Sequence, residues 1–243
     1  LYAFLKQASA PEVKIITIED PIEYHLTGIE QTQVDPEANY TFVNGLKSLM
    51  RQDPDVILIG EVRDLETANI AIQASLTRHL VFSTVHANQA SGAIPRLIDL
   101  GVKPTSIGPS LNLIIAQRLV KRLCENCKTL DKSAEKLKFQ LEKLLKSLPE
   151  RVMKKEYSEI AVYKPKGCKK CGDTGYRGRI AIYELLRVTK EIEKLMNRQA
   201  GEIEILEFAL KEGIVTMQQD GILKVILGIT TLEEVEKLTG QID

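Results

Sequence analysis

Four cysteines fall in two Cys-x-x-Cys pairs, Cys124-Glu-Asn-Cys127 and Cys168-Lys-Lys-Cys171, with forty residues between the pairs. Zinc takes four soft thiolates tetrahedrally, and each close pair can wrap one side of the ion. Paired spacing of this kind favours a metal over disulfides. With all four positions filled by protein, the expected site is closed and structural. Gly167, Gly172 and Gly175 flank the second pair, where tight turns are needed. A second chemistry is written in acids. Glu19-Asp20 follows the β-rich run Lys14–Ile18, Glu61 follows Val56–Gly60, and His86 follows Leu80–Val85. In open α/β sheets, ligands gather outside the carboxyl ends of the strands. Glu19, Glu61 and His86 are therefore expected to converge. Phosphoryl transfer needs a carboxylate to hold magnesium, one to position the attacking water, and a donor that senses the γ-phosphate.

The elements that must carry these residues alternate strand and helix over the first ~120 residues, the pattern of an α/β domain with a mainly parallel sheet. Val56–Ile59 is continuously apolar, as expected of a strand covered on both faces. Pro21 cannot donate to a sheet ladder and ends the first strand. Helical spacing is predicted over 42–52 and 65–76, with Asp64 as N-cap of the second and Thr67 three residues on. Near residue 120 the character changes. Ser133–Ser147 reads as a solvated amphipathic helix, Ile180–Leu186 as a strand, and the remainder as helices broken at Gly213 and Gly221. The expected division is 1–122 for the α/β core, 123–180 for a tetracysteine subdomain and 181–243 for a mainly helical region.

Lys+Arg and Asp+Glu both number 33, so the net charge is zero, which argues against a protein that coats nucleic acid. No stretch approaches the ~20 apolar residues of a membrane span. The opening Leu1-Tyr2-Ala3-Phe4-Leu5 has no Met and no signal-peptide features, and a fragment is the expectation.

Asp53-Pro54-Asp55 leading into Val56–Asp64 has the form of a Walker B element in which Gly60 stands where many nucleotidases place an Asp. Glu61 then falls to holding magnesium through water and Glu19 to orienting or deprotonating water, or the two roles are exchanged. At these residues the chain resembles the ATPase region of the type II secretion and type IV pilus assembly ATPases. Glu19-Asp20-Pro21-Ile22-Glu23 resembles that family's Asp box, Leu46–Asp64 its atypical Walker B segment, Thr77–Asn88 its His box, and Ala116–Cys124 the run into its metal subdomain. There are two departures. Arg78 stands where the family has Gly, and no Gly-x4-Gly-Lys-Ser/Thr loop occurs in the sequence. The family has that loop just before the helix that begins near Leu1. The resemblance implies a RecA-like P-loop NTPase core lacking its P-loop, an inserted tetracysteine zinc subdomain (Cys124, Cys127, Cys168, Cys171) and a helical C-terminal region. It implies ATP and Mg2+ as ligands of the parent protein, a homohexamer, and partners in an inner-membrane platform and cytoplasmic adaptors. It also implies a cytoplasmic location, peripheral on the inner face of the bacterial inner membrane. Assembly and secretion members carry the four cysteines, whereas retraction members generally lack them. Without the loop, the chain alone is expected to hydrolyse ATP little or not at all.

His79, His86 and Arg63 are candidate nucleotide- or phosphate-sensing residues, with a hydrogen-bonded structural role equally open for His79. Salt bridges are the plainer reading for Arg63, Arg96 and Arg118. Lys121, Arg122, Lys128, Lys169, Lys170, Arg177 and Arg179 surround the cysteines and could face a platform protein, anionic lipid or solvent. Two other function classes remain open. A zinc-ribbon nucleic-acid-binding module on a degenerate α/β scaffold fits the knuckles but not the charge balance. A scaffold without turnover fits the missing loop.

Overall fold

A computed structural model describes residues 1–131, 134–152, 157 and 159–242. It divides into two compact units, one formed by Leu1–Asn112 with Val188–Ile205 and the other by Leu113–Arg187 with Leu206–Asp243.

The first unit opens with α1 (Tyr2–Ala8), β1 (Ile15–Glu19), β2 (Glu30–Gln33), α2 (Phe42–Leu49), β3 (Val56–Ile59), α3 (Leu65–Leu76) and β4 (Leu80–Ser83). The four strands form one parallel sheet in the order β2-β1-β3-β4. All five residues of β1 and all four of β3 are buried, because helices cover both faces of the sheet's middle. Alternate residues separate the two cores. Ile15, Val56 and Leu58 pack with Leu5 of α1, while Ile16, Ile18, Ile57 and Ile59 pack with Leu46 and Leu49 of α2 and Ala71 and Ala74 of α3. Asp64 caps α3 as predicted, its carboxylate accepting the Thr67 N–H at 2.8 Å. Such a cap contributes about 1 kcal/mol. The helix predicted over 42–52 is α-helical to Leu49 and finishes in a 3-10 turn at Met50–Gln52. The strand β2 has no apolar signal, since Glu30-Gln31-Thr32-Gln33 is wholly polar. Main-chain pairing to β1 at the sheet edge defines it instead.

Where α3 turns into β4, Arg78 has φ +78°, in the left-handed region that glycine occupies without strain. A side chain there costs about 1–2 kcal/mol. Arg78→Gly is expected to raise stability by about 1 kcal/mol, or roughly 2–4 °C in a thermal melt. An unchanged or lower melting temperature would refute this strain.

After β4 come α4 (Ala93–Asp99) and α5 (Pro104–Ser110), then β5 (Leu113–Leu123), β6 (Thr129–Leu130), α6 (Glu135–Ser147), β7 (Tyr163–Lys164) and β8 (Tyr176–Arg187). Four helices close the chain: α7 (Lys190–Asn197), α8 (Glu202–Lys211), α9 (Met217–Ile226) and α10 (Leu232–Thr239). β5 and β8 form a long antiparallel ribbon, irregular at Lys121/Leu123. This pairing explains why the units cut across the three consecutive segments read from sequence. Residues 113–121 pair with 179–187 and Leu123 with Tyr176, and α7 packs on α5. Ser133, the expected start of α6, lies outside the described residues. The helix is amphipathic, with Leu141 fully buried against Ile222, Val225 and Val235. The break predicted at Gly213 is present, with φ +80° between α8 and α9. The break predicted at Gly221 is not. Gly221 lies inside α9 because that helix crosses Val235 closely, and a Cβ there would stand 2.6 Å from Val235 Cγ1.

Among the described residues, no helix is long and apolar enough to cross a membrane.

Candidate active site and candidate metal centre

The carboxyl edge of the parallel sheet carries Glu19, Glu61 and His86, at the ends of β1, β3 and β4. The structure brings two of these together. His86 Nε2 lies 3.5 Å from one Glu61 oxygen, and the Arg63 guanidinium pairs with the other. Glu61 opens on a cleft of about 250 Å³ lined also by Asp20, Val34, Phe42, Asp64 and Thr67. Val34 and Phe42 belong to the core on the α2/α3 face, so Glu61 leaves the sheet on that side.

Glu19 leaves on the other. It shares the α1 face with Thr17 and is only 5% exposed. Its Oε2 accepts from the Tyr2 hydroxyl. Its Oε1 accepts from the Thr17 hydroxyl and from Gln31 Nε2, the latter at 3.2 Å. The strand period of two sets this separation: Ile15, Thr17 and Glu19 face one way, Ile16, Ile18 and Asp20 the other. Gly60, in the position of the usual Asp, lies against β1, and a Cβ there would stand 3.3 Å from Glu19 Cα. Tyr2 is pushed up to about 12, first by burial and then by donating to Glu19.

His79 lies at the opposite, amino end of β4. Its Nδ1 is 2.9 Å from the Ala74 carbonyl and 3.3 Å from Thr77 Oγ1, so it satisfies the last turn of α3. The structure thus groups Arg63 and His86 with Glu61 and places His79 elsewhere. Arg118 donates to the neighbouring Gln117 carbonyl at 3.1 Å. Tyr2 and Gln31 were not singled out from sequence. Thr17 and Glu19 carried a faint signal, as two polar residues on one face of an apolar strand. Tyr2 and Gln31 carried none, because folding alone brings them there.

The second unit gathers the four cysteines. Cys124 follows β5 directly, and Cys168 and Cys171 precede β8, so the ribbon brings the two pairs together. All four Sγ atoms lie within 4.8 Å of one another. The distances are 3.9 Å for Cys124–Cys168, 3.8 Å for Cys127–Cys171 and 3.7 Å for Cys168–Cys171. Four sulfurs at ~2.3 Å from a tetrahedral ion have edges of ~3.8 Å. The spacing therefore fits a metal and is too wide for S–S bonds. Backbone N–H groups of Cys168 and Gly175 point at Cys171 Sγ at 3.2 and 3.3 Å, and the Asn126 amide points at Cys168 Sγ at 3.4 Å. Burial pushes Cys127 up to about 12. Burial also acts on Cys168 and Cys171, but it is outweighed at Cys168 by hydrogen bonds from Asn126, the Cys171 and Cys127 thiols and the Lys170 N–H, and at Cys171 chiefly by the Cys168 and Gly175 N–H groups, leaving Cys168 at about 6 and Cys171 below its ordinary value. The turn around the second pair requires glycine at 175, where φ is +78° and a Cβ would meet Pro165 Cβ at 2.3 Å.

Comparison with known proteins identifies the family. Residues 1–237 match the family described as Type II/IV secretion system protein. The chain is 46% identical over 239 residues to the type II secretion system ATPase E of Vibrio cholerae, covering 98% of this chain and 45% of that protein. It is 44% identical over 239 residues to the type IV pilus assembly ATPase PilB of Thermus thermophilus, covering 96% of this chain and 25% of that protein. The chain thus spans less than half the length of these relatives. A crystal structure of the pilus retraction motor PilT with bound ADP superposes with a TM-score of 0.67 at 25% identity, covering 99% of this chain and 57% of that one. The fold is the α/β, RecA-like fold of these motors, with a parallel sheet, and a cysteine cluster is present. Nothing in these likenesses favours a nucleic-acid module. The chain belongs to the Type II/IV secretion system protein family.

Proposed function

We propose that this chain is the motor part of an ATPase that powers type II secretion or type IV pilus assembly. The observation that carries the reading is the Glu61 carboxylate, paired with Arg63 and His86 above a cleft at the carboxyl edge of a parallel sheet. Carboxylate oxygens suit Mg2+, and the cleft has room for an ion with its waters rather than for a whole nucleotide. Glu61 would hold that ion through water, with Asp20 beside it, and the ion would neutralise charge on the phosphates. Glu19 orients or deprotonates the attacking water. Arg63 and His86 sense the phosphate through their contact with Glu61. His79 acts only indirectly, by fixing the turn from α3 into β4.

The four thiolates hold a structural zinc. The active protein is a homohexamer that lies on the cytoplasmic face of the inner membrane and pushes on a platform protein through adaptors.

ATP turnover tests the reading. The full-length protein is expected to release phosphate from MgATP. The 243-residue chain alone, which has no Gly-x4-Gly-Lys-Ser/Thr motif, is expected to release little or none. Full-length protein that is inactive even when assembled would sink the motor reading.

A further inference from the structure

Tyr2 and Gln31 make contacts that the reading above leaves unused. Three groups surround the Tyr2 hydroxyl oxygen. The Glu23 N–H at 3.3 Å and Gln31 Nε2 at 3.4 Å can only donate. Glu19 Oε2 can only accept while ionised. The phenol's one proton therefore has one destination, the Glu19 carboxylate. Gln31 is held just as firmly. Its Oε1 accepts the Leu26 N–H at 2.6 Å, so its amide orientation is set by the backbone and Nε2 must face Glu19 Oε1. In the parallel register Gln31 sits opposite Thr17, on the face Glu19 uses. The Tyr2 ring stands edge-on to Tyr24, with centroids 4.7 Å apart and planes at 79°, which fixes the hydroxyl in turn.

We propose that Tyr2 and Gln31 are positioning residues for Glu19, fixing which carboxylate oxygen is left to meet the attacking water. A carboxylate has about four acceptor sites. Thr17 and Gln31 take two on Oε1, and Tyr2 takes one on Oε2. The remaining site is on Oε2, beside the phenol. A buried carboxylate would otherwise turn among rotamers, and each misdirected rotamer lowers the fraction of encounters in which water is aligned. The inference rests on the reading of Glu19 as the residue that acts on water.

The test uses the full-length protein and two variants. Tyr2→Phe keeps the ring on Tyr24 and removes only the hydroxyl. Gln31→Met keeps the length and removes the amide. Each is expected to lower kcat for MgATP about tenfold, as loss of one hydrogen bond to a charged group would do. KM and the Kd for a fluorescent nucleotide should stay within about twofold of wild type, because a positioning role acts on Glu19 and the attacking water, not on nucleotide binding. A merely structural role would spread the loss over KM, Kd and melting temperature.

Three results would overturn the proposal: kcat within twofold of wild type in both variants, a KM that rises as far as kcat falls, or a higher kcat, which would make Tyr2 a brake. Glu19→Gln separates the two levels. If it turns over ATP like wild type, the role of Glu19 fails and this inference with it. If it is inactive while Tyr2→Phe and Gln31→Met are normal, only the positioning role fails.

Discussion

Glu61→Gln in the full-length protein is expected to cut ATP turnover by at least about 100-fold and to leave nucleotide affinity within a few-fold of wild type. Glutamine matches the shape of the side chain, so the cleft with Asp20, Phe42 and Thr67 should keep its form. Only the charge is lost. That charge pairs with the Arg63 guanidinium, and His86 Nε2 lies 3.5 Å from the other oxygen. In the proposed mechanism it also holds the hydrated magnesium. Removing one group that acts chiefly on transition-state charge typically costs about 100- to 1,000-fold. In the proposed reading affinity should survive, because most ground-state phosphate binding would belong to backbone N–H groups of a phosphate-cradling loop, not to this carboxylate. Phosphate release and titration of a fluorescent ATP analogue measure the two quantities separately. Turnover within about twofold of wild type would remove Glu61 from the chemistry. A parallel loss of affinity and turnover would make it a binding residue instead.

Glu61 and Glu19 also show how far the sequence could be read. That both would lie at strand ends was legible, because Ile15–Ile18 and Val56–Ile59 are apolar runs ending in acids. Their opposite exits from the sheet were not legible as a functional fact. They depend on register, since β3 pairs with β1 so that Ile18 meets Ile59. A shift of one residue would move every side chain to the other face. Asp64 and its cap were legible, because an N-cap is a local contact. The edge strand β2 and the ribbon strand β5 were not, because partners far along the chain define them. Gly221 misled for a related reason. Glycine weakens a helix locally by roughly 1 kcal/mol, yet here the close approach of Val235 requires it. The four cysteines were the most legible feature, since the residue types themselves state the chemistry and the fold has only to bring two pairs together.

Those cysteines carry the second large effect. The protein as purified is expected to contain one zinc per chain and to be colourless. Cys124→Ser should abolish that stoichiometry and lower the melting temperature of the second unit by about 10 °C or more. The segment they fix has little else to hold it. Residues 165–175 form turns with positive φ at Gly167, Gly172, Asp173 and Gly175. The core made by Leu141, Ile222, Val225 and Val235 draws on α6, α9 and α10, not on these turns. A bound metal would therefore take the place of an apolar core there. Structural zinc can contribute roughly 10–16 kcal/mol to the folding of small peptides. With a neighbouring apolar core sharing the load, about 5 kcal/mol is a fair expectation, and each kcal/mol moves the midpoint roughly 2–4 °C at this size. Serine is nearly isosteric but a poor zinc ligand, so the change removes binding without adding bulk. Metal content by a colorimetric chelator, read beside a thermal melt, tests both halves. Iron in place of zinc would colour the protein and revise the ion while leaving the site intact. A native protein without metal, whose Cys124→Ser variant melts at the same temperature, would show that the sulfur spacing of 3.7–3.9 Å arises from packing alone.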